Sequence, residues 1–377
     1  MDFDLNDDQR LLKDSVDRLI ADKYDFESRK KLAKSADGWS REMWAQFAEL
    51  GLLGLPFAEE HGGFGGGAEE TMIVMEAFGR GLVLEPYLAT VVLCGGLIRR
   101  VATAAQQAEI LPRVAAGELL LAFAQQERSS RFNLADVQTK AVADGAVFRI
   151  TGEKGVVLHG DCADKLLVTA RVSGGRMDRG GIGLFLVDAA DAGVSRRGYP
   201  TQDGLRGAEV SFSNAVGVPL GDPEGAMDGI AHAVDEAIAA VCAEAVGLMQ
   251  CMHEITVDYL KTRKQFGRAI GEFQVLQHRS VDMLVQLEQA RSMATFATVM
   301  AGESDAGVRG RAISAAKVQI GQSGRHVGQE AVQLHGGIAM TMEYKAGHYF
   351  KRMTMLEKLF GDTGHHLRAV ADGGSLF

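Results

Sequence analysis

An α+β multidomain fold is predicted, with an N-terminal α-helical domain (1–117), a middle antiparallel β domain (118–225) and a C-terminal four-helix bundle (226–377). Two changes of texture predict it. Apolar residues recur at helical spacing in the first and last regions, whereas the middle region breaks into short apolar runs between turn signals. Only six prolines interrupt the 377 residues, which leaves room for long helices.

In the first region, Leu5, Leu11, Leu12, Val16, Leu19 and Ile20 fall on helical spacing, and Asn6 and Asp7 supply N-cap side chains. A glycine-rich break, His61-Gly62-Gly63-Phe64-Gly65-Gly66-Gly67, precedes a second helical stretch from Ala68 to about Arg113. It follows no strand and opens no βαβ unit, so it is not a dinucleotide fingerprint. The middle region carries LLLAFA, AVFRIT, KLLVTARV, GIGLFLV and AEVSFS, with Asp144-Gly145 as a hairpin signal. In the last region, Val234, Ile238, Val241, Ala245, Leu248, Met252 and Ile255 alternate four and three apart, the stripe of a helix packed on helices. Breaks at Gly302–Gly307 and Gly336-Gly337 leave helices long enough for a bundle.

Forty basic against 49 acidic residues give a charge of −9, which argues against a nucleic-acid surface. No uninterrupted run of about 18 apolar residues points to a membrane span. The start, MDFDLNDDQR, lacks the basic-then-apolar order of a secretory signal. Cys94, Cys162, Cys242 and Cys251 form no CxxC pair, as expected of buried thiols in a reducing cytoplasm. His365 and His366 are adjacent on a predicted helix and point apart, so no metal site is expected there.

Three segments, in order, resemble the acyl-CoA dehydrogenase family. They are Leu50-Gly51-Leu52-Leu53-Gly54-Leu55-Pro56 with Glu59-Glu60-His61-Gly62-Gly63, then Tyr259 to Gln274 around Arg263-Lys-Gln-Phe-Gly, then Gln333-Leu-His-Gly-Gly to Glu343-Tyr344. The resemblance covers nearly the whole chain and implies the same α, β, α-bundle order. It implies FAD as cofactor, an acyl-CoA thioester as substrate and an electron-transferring flavoprotein as electron acceptor. A carboxylate base removes the α-proton in this family while hydride leaves the β-carbon for the flavin, giving a trans-2-enoyl-CoA. Arg263, Gln265, Phe266 and Gln274 inherit contacts to the adenosine diphosphate half of FAD bound in a neighbouring subunit. A guanidinium fork suits a pyrophosphate; without the motif, Arg263 would be read as a solvated residue at a helix end. Gln333, Gly336 and Gly337 match a second contact of that kind, although paired glycines also end ordinary helices.

The resemblance breaks at the base. The family's two glutamate positions fall here on Phe360 and Ala237, and its common substrate-side arginine falls on Ile238. Glu244, Glu236 and Asp362 are the nearby carboxylates. Glu244 lies seven residues beyond Ala237 on the same face, about 10 Å along the axis, and is the candidate base; the alternative is a buried hydrogen-bonding role among Cys242, Ala243, Ala245 and Val246. Glu236 is otherwise a solvated side chain. The flavin-ring signature is altered too. Gln125-Gln126-Glu127-Arg128-Ser129-Ser130-Arg131 stands where Thr-Glu-Pro and Ser-Asp are usual, and Val156-Val157-Leu158 stands for Trp-Ile/Val-Thr/Ser.

Groups that serve a neighbour's FAD are therefore kept, and groups that serve this chain's own flavin ring and base are lost. That combination resembles the smaller subunits of heteromeric bacterial members, of the pimeloyl-CoA dehydrogenase and steroid side-chain type. Three functions follow as expectations. The first is a dehydrogenase subunit in a heterotetramer with a second, base-bearing subunit. The second is a complete homotetramer using Glu244, and the third is a non-catalytic acyl-CoA-binding scaffold.

Overall fold

The computed structural model describes residues 5–373. Helix α1 (Asp7–Lys23) begins at a capping box: Gln9 N donates to the Asn6 side chain at 2.8 Å, and Asn6 N donates to the Gln9 side chain at 3.1 Å. Then come α2 (Phe26–Leu32), α3 (Arg41–Glu49), α4 (Ala68–Gly81), α5 (Gly95–Val101) and α6 (Ala104–Ala115). The glycine-rich break lies between α3 and α4, behind a short 3₁₀ turn.

Strands β1 (Leu121–Ala124), β2 (Lys140–Asp144), β3 (Val147–Leu158), β4 (Lys165–Arg171), β5 (Ile182–Asp188), β6 (Val194–Pro200) and β7 (Arg206–Leu220) form one seven-stranded sheet. Asp144 pairs with Val147 across Gly145, whose φ of 66° suits the first position of a tight hairpin turn. One expectation is corrected: the sheet is mixed. β1 runs parallel to β4, and β2 meets β4 in parallel at Lys140 and Arg171. The irregular stretch after β1 is long enough for the crossover that a parallel pair needs. The path β2–β3–β7–β5–β4 returns to β2, and Ile150, Val168, Phe185 and Val210 fill its core.

The last region holds α7 (Met227–Thr262), a hairpin of β8 (Lys264–Gln265) and β9 (Arg268–Ala269), α8 (Gln274–Met300), α9 (Ala306–His335), α10 (Lys345–Lys358) and α11 (Thr363–Asp372). The predicted stripe on α7 is buried at Val234, Ile238, Val241, Ala245, Leu248 and Met252. An 18-residue window of α7 reaches a mean hydropathy of 1.3, enough by length and composition to cross a membrane, which the sequence reading did not anticipate. Of that window, 72% is buried within the protein, as in a core helix.

The chain divides into two compact units that interleave along the sequence. One holds residues up to Lys31, Ala68–Val83 and the chain from Ile238 onward; the other holds Leu32–Gly67 and Leu84–Ala237. In the first unit, α4 crosses α7 at backbone contact. A Cβ on Gly79 would lie 2.1 Å from the Glu244 carbonyl oxygen, so only glycine permits this approach. That crossing ties α4 to helices more than 150 residues away.

Candidate cofactor site

The last turn of α7 delivers the chain into the β8–β9 hairpin. Arg263 N donates to Tyr259 O and Ile270 N donates to Arg263 O, each at 2.8 Å. At the tip, Phe266 (φ 54°) and Gly267 (φ 80°) both have positive φ, as a two-residue type I′ turn requires. A bulky side chain rarely adopts this conformation, and here it holds Phe266 outward, 89% exposed. The Phe266 ring meets Phe273 edge-on at 6.1 Å, and the Arg268 guanidinium lies 4.6 Å from the Phe273 ring centre. Arg263 and Gln265 are exposed, as is Gln274 at the first position of α8. Among the described residues, no carboxylate lies within ion-pair distance of Arg263.

A second turn follows α9. Gln333 is exposed, and Gly336 adopts φ 65° and ψ −143°, a conformation open to glycine almost alone. A Cβ on Gly336 or Gly337 would meet no atom within 4 Å. The two turns are joined by a stack that the sequence reading missed. The His335 ring lies 4.6 Å from Tyr259 and 5.0 Å from Tyr344, centre to centre. Both tyrosines stand at the margins of the two motifs, and that placement was the available signal. The structure thus brings Arg263, Gln265 and Phe266 to the same end of the helical unit as Gln333, Gly336 and Gly337. An exposed guanidinium, an outward aromatic ring and open glycine backbone can together hold a diphosphate beside an aromatic base.

Glu244 lies in surroundings that match the buried hydrogen-bonding role the sequence left as its alternative. Glu244 is 4% exposed, and Arg352 Nε and Nη2 donate to its two carboxylate oxygens at 2.6 and 2.9 Å. A carboxylate gripped on both oxygens is an ion-pair partner and not a free proton acceptor. Glu236 is no solvated residue either: Arg100 donates to both of its oxygens at 3.1 and 2.7 Å, and Arg99 lies at 3.5 Å. Burial raises the Glu236 carboxyl, but these two arginines outweigh it and hold it below its ordinary value. Asp362 caps α11 by accepting from His365 N at 2.9 Å. Ala237 and Ile238 are buried, and Phe360 is half-buried at φ 58° in the turn between α10 and α11. That turn is anchored by Lys317, which donates to the carbonyls of Leu356, Glu357 and Gly361 at 2.8, 3.1 and 3.1 Å. Burial pushes the Lys317 ammonium down to about 8. The His365 and His366 rings stand at 86° to one another. The two nitrogens of His366 face inward: Nε2 donates to Phe360 O at 3.2 Å, Nδ1 accepts from Ser314 Oγ at 3.1 Å, and burial pushes the imidazole down to about 3.

In the sheet unit, Lys154 escaped the sequence reading. It is 1% exposed and gives all three donors to Gln125 O, Glu127 Oε1 and Thr169 Oγ1, at 3.1, 2.9 and 3.0 Å. Beyond it, Val156 juts out at φ 52°, while Val157 is buried and Leu158 pairs with Gly207. Gln126, Arg128, Gly155, Val156, Arg197 and Glu209 line a cavity of about 170 Å³. At the Val156–Leu158 positions no side chain can donate a hydrogen bond to a ring.

The chain belongs to the acyl-CoA dehydrogenase family. Models of the family's N-terminal, middle and C-terminal domains match residues 6–118, 122–215 and 230–374. It is 31% identical to the acyl-CoA dehydrogenase FadE12 of Mycobacterium tuberculosis over 80% of each chain. Among solved structures it is similar to a chain of the ChsE4-ChsE5 complex from Mycobacterium tuberculosis (25% identity, TM-score 0.88, 99% of this chain and 98% of that one). It is also similar to the FAD complex of PigA (25% identity, TM-score 0.90, 99% and 98%).

Proposed function

We propose that this chain is a subunit of an FAD-dependent acyl-CoA dehydrogenase that completes the cofactor site of a second, base-bearing subunit. The observation that carries this reading is the outward Phe266–Gly267 tip and the open Gly336–Gly337 turn, linked through the Tyr259–His335 stack. Groups fit to hold a nucleotide diphosphate face away from their own chain. Both usual base positions lack an acid, and Glu244 is tied to Arg352. The likeness to a chain of a two-component complex supports the heteromeric arrangement.

The residues fit the adenosine diphosphate half of FAD. Arg263 and the glycine amides would hold its phosphates, and Phe266 would cover its apolar face. The flavin half is served less well, since Val156–Leu158 supply no donor. When bound, the flavin accepts hydride from an acyl-CoA thioester; this chain binds and orients, and the partner supplies the base. A complete homotetramer would need Glu244 free of Arg352. Electron-transferring flavoprotein as acceptor and a reducing, cytoplasmic setting belong to the same proposal; the four free cysteines agree with the latter.

The test is the flavin content of the chain purified alone and with a co-expressed partner from the same family. A flavin-to-chain ratio near zero alone, restored with the partner and lost again in Arg263→Ala, is expected. A ratio near one for the chain alone would overturn the heteromeric reading.

A further inference from the structure

The two turns read as facing the cofactor lie about seventy residues apart in sequence, and one buried side chain touches residues that lead to both. His335 is 3% exposed at the end of α9. Its Nδ1 lies 2.7 Å from Ala331 O, so Nδ1 carries the proton and donates it one helical turn back. Nε2 is then the acceptor, and the Tyr344 hydroxyl donates to it at 3.0 Å. The ring lies between Tyr259, tilted 32° to it, and Tyr344, tilted 49°. Each contact leads to a different part of the site. Tyr259 O accepts from Arg263 N at the base of the hairpin. The His335 backbone runs directly into Gly336, and Tyr344 closes the loop that begins there, as the residue before α10.

We propose that His335 is a positioning residue that registers the Arg263–Gly267 hairpin against the Gln333–Gly337 turn, so that one diphosphate is gripped by both. This inference rests on the cofactor reading above, but it concerns a coupling within this chain that can be measured without FAD. A neutral imidazole has the required donor and acceptor at opposite corners. Burial holds it below the ordinary imidazole value, against smaller opposing contributions from the Ala331 and Ile255 carbonyls, and so favours the neutral ring. The titratable groups that face it are Tyr259 from α7 and Tyr344, the residue before α10; the Asp258 carboxylate acts on Tyr344. The coupling does not depend on a change of charge.

Amide hydrogen exchange of the full chain tests this, with adenosine diphosphate as the ligand probe. His335→Phe keeps a ring between the tyrosines and removes the acceptor for Tyr344. It is expected to speed exchange about tenfold in two places together, the Arg263–Ala269 hairpin and the Gly336–Tyr344 loop. His335→Gln offers a carbonyl oxygen to Tyr344 and should restore most of the protection. Tyr344→Phe should reproduce the effect, and combining it with His335→Phe should add little. Faster exchange confined to the Gly336 side, or spread evenly over α7–α11, would overturn the inference. Failure of adenosine diphosphate to protect either segment of the wild-type chain would overturn the cofactor reading instead, leaving the coupling result standing. If it protects both segments, the protection should weaken about tenfold in His335→Phe, which a purely structural role would not produce.

Discussion

Arg352 on α10 closes both of its near nitrogens on the two carboxylate oxygens of Glu244 on α7, at 2.6 and 2.9 Å, with both side chains 6% exposed. The pair stands on the helix face that extends from Ala237, a position where the family resemblance implies a base. The same carboxylate could serve chemistry or packing, and its bidentate partner favours packing.

Breaking a buried pair from one side costs about 3 kcal/mol or more, because the remaining charge stays buried. Glu244→Gln is therefore expected to lower the urea unfolding free energy by about that amount. Turnover per folded assembled enzyme should stay at the wild-type level. Replacing both residues, as Glu244→Gln with Arg352→Met, should recover part of the loss. Turnover that collapses in Glu244→Gln while the fold and flavin content hold would restore this residue as the base.

Gly336 and Gly337 separate conformational need from ligand access. A methyl group on either would have no atom within 4 Å, so it would clash with nothing in the chain. Gly336 has φ 65° and ψ −143°, and Gly337 is not among the glycines with positive φ. Gly336→Ala is expected to cost about 1–3 kcal/mol in thermal or urea unfolding, from backbone strain. Gly337→Ala should leave stability within about 0.5 kcal/mol of wild type. In the assembled complex, both should lower flavin content if this turn approaches the cofactor closely. Full flavin content in Gly337→Ala would remove that glycine from the contact surface.

Much of the architecture was readable because it follows periodicity. The α7 stripe, the Asn6 cap and the hairpin at Gly145 each rest on local spacing or local turn chemistry. The parallel β1–β4 pair was not readable, since it depends on a long-range partner and both strands are buried almost throughout, with no alternation to mark a face. The interleaved units escaped for the same reason: the close α4–α7 crossing rests on single glycines without a pattern. At the site, Arg263 and Gly336 were found through motifs. His335 and Lys154 were missed because a buried histidine or lysine acquires its role only from partners far along the chain. The partner of Glu244 was not readable, because Arg352, more than a hundred residues later, carries no signal that it will face α7.

His366 gives the chain a defined acid sensitivity. Its imidazole is held at about 3 by burial first, then by the charge of Lys317 and by His365, against an ordinary value of 6.5. Between those values the unfolded chain binds a proton that the folded chain refuses, so stability rises with pH across the window. The stabilisation is complete above about 6.5 and is lost progressively as pH falls toward 3. At pH 5 the loss from this one residue amounts to about 2 kcal/mol. His366→Gln removes the titration and can keep a hydrogen bond to Ser314 or to the Phe360 carbonyl. Urea unfolding at pH 7 and pH 5 should therefore show a smaller drop for the variant, by about 2 kcal/mol. Equal drops for the two proteins would mean that His366 charges in the folded state, and that the turn around Phe360 opens to admit the proton.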